Sequence, residues 1–166
     1  MITDDANVDA ALANKTYEVR VDGAGDVNSG DVRIDLQDKQ SKRIEFAMRD
    51  AATGLDVVKS FVLSADRYSA DLEVKALRNG EAIPQVKLAV GPSIGDQSVS
   101  TYTFYSVAPE AVLNVNQSPV RHHALTIHND EKSRDVLAVR GNVDWVGLGD
   151  TYFAMVAVPA KPVGSS

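Results

Sequence analysis

The sequence predicts an all-β protein, a sandwich or barrel of about ten short strands. Apolar residues recur at every second position, which is the period of a strand with one dry and one wet face. Turn-forming clusters rich in glycine, aspartate and asparagine separate these stretches. No long helical pattern is visible, and residues 5–15 are the one candidate for a short helix.

The clearest strand spans residues 67–77. Up to residue 76, the even positions are apolar or aromatic and the odd positions are polar or charged. The pair Asn79-Gly80 is a strong hairpin signal and predicts a partner strand at 83–91. Further strands are predicted, in chain order, at residues 16–22, 31–36, 42–49, 56–64, 100–107, 112–116, 124–129 and 136–141.

An apolar run extends from Tyr152 to Val158 and ends at Pro159. It is too short to cross a membrane as a helix, which takes about 20 residues. We expect a central strand that is buried on both faces, because such strands lose the alternation. The preceding Gly147-Leu148-Gly149-Asp150 predicts a turn, and Trp145 is expected to pack into the core.

Composition excludes several classes of protein. The chain has 166 residues, 44% of them hydrophobic and 24% charged, which is typical of a soluble globular protein with a real core. Its net charge of -6 argues against non-specific nucleic-acid binding. The absence of cysteine excludes disulfides, thiolate metal sites and a cysteine nucleophile.

The histidines lie close together in the sequence but do not predict a metal site. His122 and His123 are neighbours, so a strand would point them to opposite faces. His128 lies about 20 Å from His122 along an extended strand. We therefore expect solvated or hydrogen-bonded histidines, although Asp130 and Glu131 are nearby.

Acidic pairs and glycine-rich loops are also present without a catalytic pattern. The acidic candidates are Asp4 with Asp5, Asp130 with Glu131, and Asp144 with Asp150, and no spacing among them supports a glycosidase pair. Asp150 is expected to cap a turn. Residues 22–26 (DGAGD) are expected to form a hairpin turn, because no helix follows to complete a phosphate loop. No enzyme activity, metal or cofactor is predicted.

Two stretches of the chain resemble one known family. In the first, Lys59, Phe61 and Leu63 form a K-x-F-x-L strand, Tyr68 opens the next strand, and Asn79 lies in its hairpin. This order is similar to that in the large periplasmic domain of the YidC/Oxa1/Alb3 family of membrane protein insertases.

The second stretch resembles the same periplasmic domain. Trp145 precedes Tyr152 and Phe153, and a short apolar strand then ends at Pro159. The resemblance covers residues 16–159 and assigns a structural role to Phe61, Leu63, Tyr68, Asn79, Trp145, Tyr152, Phe153 and Pro159.

The resemblance implies a β-supersandwich, similar to the galactose-mutarotase-like sandwiches, with two packed and mostly antiparallel sheets. It implies one domain at 16–159, part of a larger periplasmic domain, with a flexible segment at 1–15 and a flexible tail at 160–166. The parent would be a multi-pass protein of the bacterial inner membrane. Membrane contact would come only through its transmembrane part, and strands missing from this chain would leave unpaired edges.

The implied function is non-catalytic. The domain would assist insertion and folding of inner-membrane proteins through contacts with the Sec translocon, its accessory subunits and nascent membrane proteins. The expected binding modes are an exposed strand edge or an apolar patch. Aromatic and arginine side chains are the candidates for the contact: Tyr102, Phe104, Tyr105 and Arg121. Core packing is the favoured role of Tyr102 and Phe104.

A carbohydrate-binding or mutarotase-like sandwich is the alternative. It would need an acid and a base converging in a pocket, for which His122 or His123 with Glu131 is the only candidate set. It would also need an exposed aromatic platform, for which Trp145 is the candidate. A buried Trp145 would argue against this alternative, and an exposed one beside a histidine would favour it.

Overall fold

The computed structural model describes residues 5–24, 27, 30–91, 110–123, 139–150 and 153–161. The chain divides into two compact units, Met1–Lys87 and Leu88–Ser166. The first holds a five-stranded sheet and the second a four-stranded sheet, and every described strand pair is antiparallel. The prediction of an all-β protein with antiparallel sheets and little helix is confirmed.

The first unit begins with one helix and continues with five strands that pair in chain order. These elements are α1 (Ala6–Asn14), β1 (Glu18–Val21), β2 (Ser41–Asp50), β3 (Leu55–Ser64), β4 (Ala70–Arg78) and β5 (Glu81–Ala82).

Cross-strand register gives this sheet one apolar and one charged face. Ile44 pairs with Phe61 and Phe61 with Leu72, so a row of large apolar side chains crosses the sheet. The opposite face carries charged side chains that pair with one another, as Arg43 does with Glu73 at 3.7 Å. The two-residue period in the sequence produces this division, because successive side chains point to opposite faces.

Helix α1 covers one end of the apolar face. Asp5 caps the helix, since its Oδ1 accepts a hydrogen bond from the N–H of Asn7 at 3.0 Å. Val8 packs into a core cluster with Met48, Leu55 and Val57. The expected short helix therefore forms, and the buried Val8 connects it to the sheet.

The second unit contains four strands in the order β7-β6-β8-β9. β6 and β7 form a hairpin around Asn116 and Gln117, both of which have positive φ. Leu113 and Val115 of β6 are buried. The strands are β6 (Glu110–Val115), β7 (Ser118–His123), β8 (Val143–Gly149) and β9 (Ala154–Ala157).

Several predicted strands are present, within a few residues at each end. They are the predictions at residues 16–22, 42–49, 56–64, 67–77 and 112–116. The hairpin predicted at Asn79-Gly80 also forms, and both residues have positive φ. The predictions at 100–107 and 124–129 lie outside the described residues, as does the first half of 136–141; residues 139–141 form no strand.

Two predicted strands are wrong. Residues 31–36 keep the alternation, with Ile34 and Leu36 half-buried, but they join no ladder. The partner strand predicted at 83–91 does not form, because the ladder with β4 ends near Ala82. The N–H of Ile83 makes the last bond, to the Ala76 oxygen, and Pro84 has no N–H to continue the ladder. Strand β7 was not predicted, because Asn116-Gln117 lacks the glycine that marks most such turns.

The apolar run after Tyr152 is not a central buried strand. It forms β9 at the edge of its sheet, and Ala154, Met155 and Val156 are exposed. Gly147 lies within β8 rather than in a turn. The absence of a side chain is needed there, because a Cβ would come within 2.5 Å of the Met155 oxygen. A continuous apolar run is typical of a strand buried on both faces, but here it belongs to an exposed edge strand.

Replacement of Leu55 by alanine tests the core of the first unit. Leu55 is 2% exposed, and truncation of such a residue leaves a cavity that costs about 2–5 kcal/mol. Urea unfolding should show this loss, whereas Leu77→Ala on the other face, at 36% exposure, should cost roughly 1 kcal/mol or less. Equal losses in the two variants would contradict the assignment of the two faces.

Candidate functional site

The two sheets have four edges among the described residues, and three of them are protected against further pairing. β1 carries the charged pair Glu18 and Arg20 with 2.9 Å between Nη2 and Oε1. The opposite edge of this sheet consists of the two-residue β5 and the part of β4 that β5 leaves uncovered, which carries Asp71, Glu73 and Lys75. β7 carries Pro119 and Arg121. Charged side chains, proline and short length are the usual means by which proteins prevent an edge from pairing with another chain.

The fourth edge, β9, is short at four residues, but it carries neither a charged residue nor a proline. No charged residue occurs between Thr151 and Ala160. The apolar side chains along the strand are exposed on both of its faces: Phe153 60%, Met155 40%, Val156 48% and Val158 72%. Pro159 lies beyond the end of the strand and closes the run without protecting it.

Hydrogen-bond geometry identifies the backbone groups at this free edge. The N–H of Asp150 donates to the Phe153 oxygen at 2.9 Å, which makes these residues a hydrogen-bonded pair. Such pairs alternate along an antiparallel ladder, so Met155 and Ala157 bond to β8. The N–H and C=O groups of Ala154 and Val156 therefore point away from β8.

The β8–β9 hairpin holds this edge in place. The Oδ1 of Asp150 accepts a hydrogen bond from the Phe153 N–H at 2.7 Å, so the expectation that Asp150 caps a turn is confirmed. Gly147 pairs with Val156, and the missing side chain lets the two backbones approach closely. We define the candidate site as the free edge of β9, meaning the edge that pairs with no other strand in the described part of the chain, together with the flanking Phe153 and Val158.

A second surface, an open cleft of about 680 Å³ in the first unit, lies beside α1. Two ion pairs line it: Arg78 contacts Asp5 at 2.8 Å, and Lys15 contacts Asp50 at 3.1 Å. These pairs lie at the two ends of α1 and connect the helix to the strand ends below it. Each charge has a partner of opposite sign, so the cleft has no excess charge to attract an ion.

The carboxylates of this cleft are stabilised in their ionised form. The Arg78 guanidinium, followed by the N–H groups of Val8 and Asn7, lowers the pKa of Asp5. The Thr53 hydroxyl, followed by Lys15, lowers the pKa of Asp50. A general acid needs a pKa nearer the working pH, so these groups serve as anchors for the helix.

The histidines do not form a metal site in the described part of the chain. His122 and His123 pair with Ala111 and Glu110 of β6, and they point to opposite faces as expected. His123 Nδ1 lies 3.8 Å from the Glu110 carboxylate. Among the described residues no group of three ligands could hold a metal; His128, Asp130 and Glu131 lie outside them.

The other chemical candidates are also separated. Asp144 lies in β8 and Asp150 follows its end, about 20 Å away along the strand, which is too far for a glycosidase pair. Asp4 lies outside the described residues. Trp145 is half-buried and pairs with Asn114, whereas the described histidines pair at the far end of β6. Among the described residues, the alternative of a sugar site therefore lacks an exposed aromatic platform beside a histidine.

The residues of the family resemblance occupy varied positions. Phe61 and Leu63 are half-buried in β3, and Trp145 is half-buried in β8. Asn79 occupies the β4–β5 turn, where its side chain fills the space that a Cβ on Gly54 would need. Tyr68 is fully exposed, and Phe153 lies at the candidate site. Pro159 is half-buried, and Tyr152 lies outside the described residues.

The predicted interface residues do not coincide with the candidate site. Arg121 is engaged with Glu110 at 2.7 Å, although its side chain is 70% exposed. Tyr102, Phe104 and Tyr105 lie outside the described residues. The sequence signal for the free edge was present in the uncharged run that ends at Pro159, but burial explains such a run equally well.

Comparison of this chain with protein-family models, with curated proteins and with solved structures finds no match. Among the residues that the structure describes, no helix is long and apolar enough to cross a membrane.

Acid should weaken the anchoring of α1. A carboxylate whose folded pKa is lowered stabilises the fold above its unfolded pKa, about 4, and this contribution is lost as the pH falls through the folded pKa. We expect urea unfolding midpoints to fall more steeply below pH 4 in the natural protein than in Asp50→Asn, which has already lost the ion pair. The exposed Asp66→Asn is the control and should keep the natural slope; equal slopes in all three proteins would contradict the anchoring role.

Amide hydrogen exchange tests the geometry of β9. The N–H groups of Ala154 and Val156 point away from β8, whereas those of Met155 and Ala157 bond to it. The first pair should exchange at least roughly tenfold faster than the second in the free protein. Slow exchange at Ala154 and Val156 would show that the edge is already covered.

Proposed function

We propose that this chain is a non-catalytic protein-binding domain that receives an extended polypeptide segment at the free edge of β9. The observation that carries the proposal is the contrast between edges. Three described edges are charged, shortened or blocked by proline, whereas β9 exposes apolar side chains without a charge. An uncharged edge is an aggregation hazard unless another strand covers it, so its presence favours a role in pairing.

A strand edge suits the binding of partners with varied sequences. Added strands gain most of their affinity from main-chain hydrogen bonds, which every residue except proline can supply. The side chains of Phe153 and Val158 extend the apolar contact at either end of β9. Such a site fits a domain that contacts newly made polypeptides in an extended state.

The two sequence blocks support a more specific form of the proposal. In it, the chain belongs to the periplasmic domain of an insertase of the YidC/Oxa1/Alb3 family, at the outer face of the bacterial inner membrane. It would contact the Sec translocon, its accessory subunits or nascent membrane proteins, and thereby assist their insertion and folding. Asn79 in the β4–β5 turn and Phe61 in β3 suit the structural roles that the resemblance assigns to them.

The gene around this segment provides the first test of the specific form. An insertase gene would encode a signal-anchor helix upstream and about five apolar spans downstream. An open reading frame that encodes other soluble modules on both sides would overturn the insertase assignment. It would leave the general proposal of a protein-binding edge in place.

Site-specific photo-crosslinking tests the general proposal in the intact protein. A photoreactive amino acid at Val156 should form adducts with a nascent inner-membrane protein held on ribosomes or with a translocon subunit. The same amino acid at Lys75, on the charged face of the first sheet, is the matched control and should form at least tenfold fewer adducts. Equal yields at the two positions would contradict binding at β9.

A further inference from the structure

The free edge of β9 limits the chemistry of what can bind there. Ala154 and Val156 present two N–H and two C=O groups away from β8, enough for a short ladder of four hydrogen bonds. Phe153 and Met155 flank this ladder on one face, and Val156 and Val158 flank it on the other, because successive side chains alternate. A bound strand would therefore lie between apolar groups on both faces.

From this geometry we infer that the occupant is an uncharged, apolar segment of another polypeptide, bound in extended form as an added strand. The inference rests on the proposed function and specifies the partner of the same site. A charged side chain opposite Val156 would be partly desolvated and would meet no counter-charge on β9, since no charged residue occurs between Thr151 and Ala160. The edge thus selects against charge while accepting many apolar sequences.

The length of the edge argues against a second copy of this chain. Strand β9 has four residues, which span about 13 Å. A stable dimer needs an interface of about 1,000 Å² or more in total, and one short strand pair supplies only a fraction of that area. A flexible peptide that binds briefly and leaves needs far less contact.

Peptide titration followed by amide resonances of the protein tests the inference. The probe is a nine-residue peptide that alternates valine and threonine, with blocked ends. Binding should shift the amide signals of Ala154 and Val156 and slow their hydrogen exchange. A second peptide with lysine at two central positions should bind at least tenfold more weakly. A third, N-methylated at two consecutive central residues, loses donors on both of its edges and should also bind at least tenfold more weakly.

Two protein variants complete the design. Val156→Lys places a charge on the edge and should weaken binding at least tenfold. Val86→Lys is the matched control, since Val86 is 51% exposed against 48% for Val156 and lies outside every strand. Val158→Lys, at 72% exposure, provides a second edge variant if Val156→Lys does not fold.

Each outcome has a distinct meaning. Equal binding of the lysine or N-methylated peptide would overturn the inference, and so would shifts outside β9. Concentration-dependent dimerisation that Val156→Lys abolishes would make a second copy the occupant and would also overturn it. Crosslinks from Val156 to a translocon subunit without any binding of the valine-threonine peptide would refute this inference while the proposed function stands.

Discussion

The register of the β2–β3 hairpin is the constraint on which the first unit depends. Ten consecutive residue pairs, from Ser41 with Ser64 to Asp50 with Leu55, fix the two strands. A slip of one residue would move every side chain to the other face and would expose Leu55 and Val57. The turn prevents this slip, because the Asp50 carboxylate accepts hydrogen bonds from the N–H and hydroxyl of Thr53 at 3.1 and 2.7 Å.

The remaining features of the first unit follow from that register. It places Met48 beside Val57, where Val8 of α1 completes the cluster. It also brings Asp50 to the end of its strand, within reach of Lys15 at the end of the helix. A nine-residue helix is marginal by itself in water, so the packing of Val8 and the two terminal ion pairs stabilise it where propensity alone would not.

Edge protection differs between the strands because it depends on side chains that have little effect on the core. Glu18 and Arg20 of β1 point away from the apolar face, and the exposed Arg121 of β7 bonds the buried Glu110. In β9 the same kind of position carries Val156, which remains 48% exposed. An apolar residue at an exposed edge adds little to folding, and its value lies in contact with another chain.

The sequence by itself determined the antiparallel β class, the long central strands and the hairpin at Asn79-Gly80, because period-two patterns and turn residues act locally. It also identified Asp150 as a cap. The tertiary structure alone decided that the Tyr152–Val158 run supplies an edge strand rather than a buried one, and that Gly147 serves close backbone approach rather than a turn. It also decided that residues 31–36 join no ladder. Strand position depends on which distant segments pair, and an apolar run has the same local pattern in either position.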